Sequence, residues 1–126
     1  MTPVPGAEAF SRSFDVSRET LGRLETYATL LEKWNPRINL VSAATLPDVW
    51  SRHFADSAQL LRLAPASARL WLDIGSGAGF PGLVLAVLLR DTRPDLRVRL
   101  VESYQRKCVF LRRVAEDTAT PVDILA

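Results

Sequence analysis

A glycine-rich segment near the middle of the chain has the residue types and spacing of a ligand-binding turn. Gly75, Gly77 and Gly79 begin two residues after Asp73, between an apolar run at 70–72 and another at 83–89. Without a Cβ, glycine can adopt positive φ and let a ligand lie against the backbone. A strand, a glycine turn and a helix in this order form a nucleotide-sized pocket in parallel α/β sheets. We therefore expect an adenosine-containing cofactor at this turn, with the carboxylate of Asp73 facing it.

Two cofactor classes use such a turn, and the glycine spacing alone fits both. The run Gly75–Gly79 suits S-adenosylmethionine, whereas Gly77–Gly82 formally matches the dinucleotide fingerprint. In that fingerprint the first glycine comes directly off the strand, but five residues after Gly75 stands Phe80, and Pro81 lacks an amide donor that a pyrophosphate would use. These features favour S-adenosylmethionine over NAD, and the expected cofactor-binding residues at the turn are Asp73, Gly75, Ser76, Gly77, Gly79 and Phe80.

A second acidic residue stands at the end of the next apolar run. The segment 98–102 reads as a strand that ends on Glu102. A carboxylate at this position can accept hydrogen bonds from both hydroxyl groups of a ribose. We expect Glu102 to bind the cofactor in this way; the alternative is a surface glutamate that caps the next helix.

The periodicity of apolar residues predicts the elements that hold these groups in place. An amphipathic helix capped by Ser17 is expected to end at Pro36, and a second helical region, broken near Ser57, runs from Thr45 to Pro65. From residue 70 the pattern changes to strand 70–74, helix 81–90, strand 98–102, helix 106–117 and strand 122–125. Strands separated by helices indicate right-handed crossovers in a parallel sheet. The predicted organisation is an N-terminal helical cap at 1–66 and, at 67–126, the first half of a Rossmann-like α/β domain.

The incomplete sheet leaves an apolar strand at its edge, which proteins normally pair or cover. We therefore expect either a longer natural chain, which we favour, or a partner that completes the sheet. Unless a partner completes the sheet, we expect the protein to be a monomer.

Composition and charge narrow the function classes. The chain has 126 residues, one cysteine, one histidine and a net charge of +2, with no long apolar run and no visible signal peptide. These features predict a soluble, cytoplasmic protein without a zinc site, since one histidine and one cysteine cannot supply its ligands.

Basic residues exceed acidic ones between Arg90 and Arg113, which suits RNA, although a solvated helix face is an equal alternative. If helical, His53, Asp56 and Ser57 share one face, as a catalytic site or, more simply, as a hydrogen-bonded histidine.

Four stretches together resemble the bacterial family of ribosomal RNA small subunit methyltransferase G, also called the glucose-inhibited division protein B family. They are Trp34-Asn35-x-x-x-Asn39-Leu40, Arg52-His53-x-x-Asp56-Ser57, the segment Asp73–Gly82, and Glu102-Ser103 followed by Arg106-Lys107 and Phe110-Leu111. The resemblance covers the chain from about Ser17.

The resemblance implies a class I S-adenosylmethionine-dependent methyltransferase fold and methyl transfer to N7 of a guanine in small-subunit ribosomal RNA. It places Gly75 and Phe80 beside the methionine and adenosyl parts of the cofactor, and Glu102 at the family's acidic position, which is often aspartate. The family is longer, and its later strands supply further contacts to the adenine. A non-catalytic fragment that binds only RNA or cofactor is therefore the alternative. The residues expected to bind RNA are Arg52, His53, Arg106 and Lys107.

Overall fold

The computed structural model describes residues 6–126. Its α-helices are α1 (Ala7–Phe14), α2 (Arg18–Ile38), α3 (Ala55–Ala58), α4 (Gly82–Leu89) and α5 (Gln105–Asp117), and its strands are β1 (Leu70–Ile74), β2 (Arg97–Val101) and β3 (Asp123–Leu125). Short turns of 3₁₀ or π-helix cover Leu46–Asp48, Trp50–Phe54 and Gln59–Leu63. None of the helices in this part of the chain is both long enough and apolar enough to cross a membrane.

The three strands form a parallel sheet in the order β1-β2-β3, which confirms the predicted α/β class and the Rossmann-like βαβαβ order. Right-handed crossovers between neighbours in this order place α4 and α5 on one face of the sheet. On the other face, Leu70, Leu72 and Ile74 of β1 are 47%, 49% and 74% exposed. Within residues 6–126 the sheet is thus open, with helices on a single face.

The helices that precede the sheet share one hydrophobic core with the helices that cover it. Leu24, Tyr27 and Leu31 of α2, Leu83 of α4 and Phe110 of α5 are all fully buried in the same cluster. The division of the chain at residues 66 and 67 stays a prediction. The shared core therefore fixes the position of α2 relative to the glycine turn of the candidate site.

Helix α2 begins where the sequence predicts but ends later. The side chain of Ser17 caps it by accepting the N–H of Thr20 at 3.1 Å. The predicted end at Pro36 is wrong, because the helix continues to Ile38. A proline near a helix end removes only one hydrogen bond, and packing of Ile38 against the core keeps the last turn helical. The carboxamide oxygen of Asn35 then accepts the N–H groups of residues 40 and 41 at 2.7 and 2.9 Å.

The segment between α2 and β1 is less regular than the predicted helical region. It passes through a 3₁₀ turn, a π turn, α3 and a second 3₁₀ turn, with the change near Ser57 that the sequence suggests. The π turn carries Trp50 and Phe54, which are 3% and 0% exposed and pack edge-on at 4.9 Å. Trp50 also contacts Phe10 of α1, a helix that has no counterpart among the predicted elements. Burial of these aromatic rings, rather than ideal helical spacing, sets the local backbone.

Candidate functional site

The turn between β1 and α4 has the backbone that the sequence predicts. Gly75, Gly77 and Gly79 have φ of +79°, +56° and +98°. The N–H groups of Gly75 and Ser76 both donate to the carbonyl of Val101, the last residue of β2, at 2.8 and 3.2 Å. The turn is therefore tied to the carboxyl edge of the sheet, where parallel α/β proteins bind their ligands.

The glycines of this segment differ in what surrounds them. A Cβ added at Gly75 or Gly77 would meet no heavy atom within 4 Å. A Cβ at Gly79 would overlap the Tyr27 hydroxyl, and one at Gly82 would overlap the Leu100 side chain. The first two glycines thus leave an open face of backbone that a ligand can approach, whereas the last two allow close packing. Sequence spacing alone treats all four alike.

Asp73 contacts the start of α4. Its Oδ2 accepts the N–H of Gly82 at 3.0 Å, which places the carboxylate at the positive end of that helix. Burial raises the pKa of Asp73, and the nearby charge of Glu102 raises it further, against the lowering effect of hydrogen bonds from Gly82 and Ser76. The Ser76 hydroxyl is buried and donates to the Asp73 carbonyl at 3.1 Å. The contact of this carboxylate with a cofactor stays a prediction; its partner in the structure is α4.

Glu102 braces the turn from the neighbouring strand. It is 8% exposed; its Oε1 accepts the N–H of Gly77 at 2.7 Å and its Oε2 accepts the N–H of Tyr104 at 2.8 Å. Burial raises its pKa, but the N–H groups of Tyr104 and Gly77, helped by the charge of Lys107, outweigh this, so the pKa lies below its ordinary value. Each oxygen keeps a second lone pair, and hydrogen bonding to a ribose stays a prediction for this residue.

Replacing Glu102 with glutamine is expected to destabilise the fold by about 1–3 kcal/mol at pH 7, because the amide NH₂ would face one of the two backbone donors. The lowered pKa means that ionised Glu102 stabilises the fold above about pH 4.5, and that this contribution is lost as the pH falls through the folded-state pKa. Urea unfolding at pH 7 and at pH 3 measures this, and the difference between wild type and variant should shrink at pH 3. The exposed Glu116→Gln is the matched control; an equal loss in both variants would contradict the bracing role.

Tyr27 is a site residue that sequence reasoning missed. It is fully buried, and its hydroxyl donates to the carbonyl of Ala78, inside the turn, at 2.6 Å. Its ring lies parallel to Phe80, with centroids 5.8 Å apart, and Phe80 lies parallel to His53 at 4.7 Å. Burial raises the pKa of Tyr27 well above its ordinary value, and the charge of Asp73 adds to this. A tyrosine on the apolar face of α2 was an available signal, since a buried hydroxyl needs a partner.

Tyr27→Phe is expected to cost about 1–3 kcal/mol of stability, because it leaves the buried Ala78 carbonyl without its donor. Chemical denaturation of both proteins gives this value. Tyr104→Phe is the matched control, since Tyr104 is 51% exposed and its loss should cost little. A Tyr27→Phe variant as stable as wild type would show that the Tyr27 hydroxyl does not stabilise the turn.

The simpler expectation, a hydrogen-bonded His53, is confirmed, with a partner other than Asp56 or Ser57. The Nε2 atom of His53 lies 3.0 Å from the Thr45 hydroxyl, and no hydrogen bond joins its ring to either of the two residues in the described chain. Burial lowers the pKa of His53, although the charge of Asp56 acts in the opposite direction. The His53 ring also stacks on Phe80 at the edge of the turn.

The basic residues divide into paired and unpaired groups. Arg90, Arg93, Arg97 and Arg99 each lie within 4 Å of an aspartate carboxylate, at distances of 3.9, 3.3, 3.0 and 3.6 Å. Within residues 6–126 no such partner is found for Arg52, Arg106 or Lys107, the cations predicted to bind RNA; Lys107 lies over the Tyr104 ring, 5.7 Å from its centroid. The local basic excess seen in the sequence is thus concentrated on α5 rather than on the sheet. Also within that range, no three His, Cys, Asp or Glu side chains are grouped to hold a metal ion.

Comparison with known proteins identifies a family for this chain. The family model described as rRNA small subunit methyltransferase G matches residues 20–126. Curated relatives named "Ribosomal RNA small subunit methyltransferase G" include one from Parvibaculum lavamentivorans, 57% identical over 121 residues, which are 96% of this chain and 53% of the relative. Another, from Rhodospirillum centenum, is 56% identical over 126 residues, which are 98% of this chain and 56% of the relative. The chain spans about half the length of the curated relatives it matches.

The matched family is the one that the sequence motifs resemble, and the match includes the turn, Glu102 and the start of α5. The open parallel sheet with its glycine turn is the arrangement expected of a class I methyltransferase. The chain belongs to the ribosomal RNA small subunit methyltransferase G family.

Proposed function

We propose that this protein takes part in transfer of a methyl group from S-adenosylmethionine to N7 of a guanine in small-subunit ribosomal RNA. The observation that carries the proposal is the open backbone at Gly75 and Gly77, held at the carboxyl edge of the sheet by Glu102. Family membership supplies the reaction class, and the relatives' names supply the ribosomal RNA. An RNA substrate in ribosomal subunits also implies a cytoplasmic location, and we propose a monomer unless a partner completes the sheet.

The start of α4 supports a sulfonium cofactor rather than a dinucleotide. A pyrophosphate needs free N–H donors and positive potential at a helix N-terminus. Pro81 has no N–H, and the N–H of Gly82 already donates to Asp73. A carboxylate at this point would also repel a phosphate. S-adenosylmethionine carries no phosphate, so the donors that are missing here are not required for its binding.

The cofactor would be held by the turn and its braces. Gly75 and Gly77 would offer an approachable backbone, with the buried Ser76 between them fixing its course and Gly79 fixing the end of the turn. Phe80, ordered between Tyr27 and His53, would present an apolar surface to the adenosyl part. Contacts from Glu102 to the ribose and from Asp73 complete the proposed set.

The chemistry asks little of acid or base groups. The cofactor supplies an electrophilic methyl group, and guanine N7 has an exposed lone pair that needs no deprotonation. The protein mainly has to align the reacting atoms and exclude misplaced water. Holding the reactants close together in the right orientation can lower the reaction barrier by several kcal/mol. We assign no general base. Arg52, Arg106 and Lys107 would bind phosphates of the RNA, and His53 would act through Phe80, on which it stacks.

Calorimetry and a single-turnover assay test this proposal. The 126-residue chain is titrated with S-adenosylhomocysteine and, separately, with NAD; it is then mixed with tritiated S-adenosylmethionine and small-subunit RNA that lacks the N7 methyl group. The proposal expects binding of the first ligand only and label at a guanine N7. Binding without transfer would favour the non-catalytic alternative, and binding of NAD alone would favour an oxidoreductase.

A further inference from the structure

A groove runs between the C-terminal half of α2 and the outer face of α5. Its cavity volume is about 690 Å³. Four cations form its rim: Lys33, Arg37, Arg106 and Arg113. Trp34, Ile38 and Val109 form its apolar floor.

The rim carries a strong positive charge that the rest of the structure does not neutralise. Within the part of the chain that the structure describes, Lys33, Arg37 and Arg106 have no carboxylate within 4 Å. Arg113 alone is paired, with Asp117 at 2.9 Å. The arginines of β2, by contrast, both lie beside Asp123. Unpaired, exposed cations gain most from a polyanion, because binding releases the counterions of its phosphates.

The floor is apolar and partly exposed. Trp34 is half-buried and packs edge-on against the buried Phe110, with centroids 5.7 Å apart. Val109 is 50% exposed beside it. A charged rim around an aromatic floor is the combination with which proteins bind unpaired nucleotides, since phosphates meet the cations and bases or sugars cover the apolar surface. Guanidinium groups also match phosphate geometry better than a simple point charge does.

The groove begins close to the proposed cofactor site. Arg106 lies in the first turn of α5, four residues after Glu102, at the same edge of the sheet as the glycine turn. Arg113 lies seven residues further along, roughly 10 Å down the helix. A strand that follows the groove would therefore lead away from the turn.

We propose that this groove binds an unpaired RNA segment, with phosphates on the four cations and a base or ribose over Trp34 and Val109. The proposal rests on the proposed function for its choice of polyanion, and it adds a second RNA contact on α2. The groove anchors RNA beside the cofactor site and takes no part in methyl transfer itself.

The test is fluorescence anisotropy of a labelled oligouridine at several salt concentrations. The double variant Lys33→Ala, Arg37→Ala should weaken binding about tenfold at low salt and reduce the slope of log K against log salt by about 1.4, the value for two lost phosphate contacts on a single strand. The matched control is Arg12→Ala, Arg18→Ala, which removes two exposed cations that also lack a carboxylate partner in residues 6–126. Val109→Asn, at a half-exposed position, replaces an apolar side chain by an uncharged polar one and should weaken binding while the charge of the rim stays the same.

The outcomes of these experiments separate the possible explanations. Equal losses in the groove variant and the control would overturn the groove, as would a groove variant that keeps the wild-type slope. Tighter binding of a poly-glutamate peptide than of oligouridine, lost in the groove variant, would overturn RNA as its occupant in favour of an acidic protein. Titration of each variant with S-adenosylhomocysteine keeps the two proposals apart: native cofactor affinity with an unchanged RNA slope rejects the groove alone, whereas absence of cofactor binding in the wild type rejects the proposed function.

Discussion

Replacing Gly79 with alanine is expected to destabilise the fold by about 2–4 kcal/mol. Two costs combine. The backbone at Gly79 has φ +98°, which strains any residue with a Cβ. The added Cβ would also overlap the Tyr27 hydroxyl and approach the Leu83 Cβ to 2.8 Å, inside a core that cannot expand locally. Urea unfolding at neutral pH measures the loss.

Gly22→Ala is the matched control for this substitution. Gly22 lies inside α2, where an added Cβ meets nothing within 4 Å, so alanine should stabilise the protein by about 0.5–1 kcal/mol. The double variant Gly79→Ala, Tyr27→Phe tests the proposed overlap directly. If the hydroxyl is the main obstacle, the double variant should lose less than the sum of the single variants; strict additivity would show that the two residues do not compete for the same space.

Gly75→Val is expected to lower the affinity for S-adenosylhomocysteine at least tenfold, equivalent to about 1.4 kcal/mol. The branched side chain would occupy the open space that the turn presents at Gly75. Because its Cβ would meet no heavy atom within 4 Å, the main cost to stability should be that of the positive φ, about 1–2 kcal/mol. Calorimetric titration of the folded variant gives the affinity.

Substitutions at Gly75 and Gly79 are expected to have different main effects, because open space surrounds Gly75 and protein atoms surround Gly79. Gly79→Ala should mainly reduce stability, whereas Gly75→Val should mainly reduce binding, although both residues belong to the same turn. The smaller Gly75→Ala should have an intermediate effect on affinity. A Gly75→Val variant that is folded and binds with wild-type affinity would mean that the cofactor does not lie on this face of the turn.

Much of the fold could be predicted from short-range patterns in the chain. Strand 70–74 is confirmed to the residue, and the bounds of α4, β2, α5 and β3 lie within one residue of those predicted. The cap at Ser17 and the positive φ of the turn glycines are also confirmed. These features depend on neighbours a few residues apart, on the periodicity of apolar side chains and on the absence of a Cβ, all of which are visible in the sequence.

The partners of individual side chains depended on the tertiary structure. Tyr27 and Ala78 are 51 positions apart, and nothing local connects them. Asp73 likewise accepts a hydrogen bond from the first turn of α4, and Arg97 pairs with Asp123 on the neighbouring strand. Arg106 has no carboxylate partner within residues 6–126. Packing also overrides the local preference to end α2 at its proline.

The sequence by itself thus determined which elements form and which family the motifs resemble, because those depend on local spacing and residue type. Only the tertiary structure decided which glycines face open space and which cations lack a carboxylate partner. Both depend on what surrounds a residue once distant segments pack together, and that surrounding is set by the shared core of α2, α4 and α5 rather than by any neighbour in the chain.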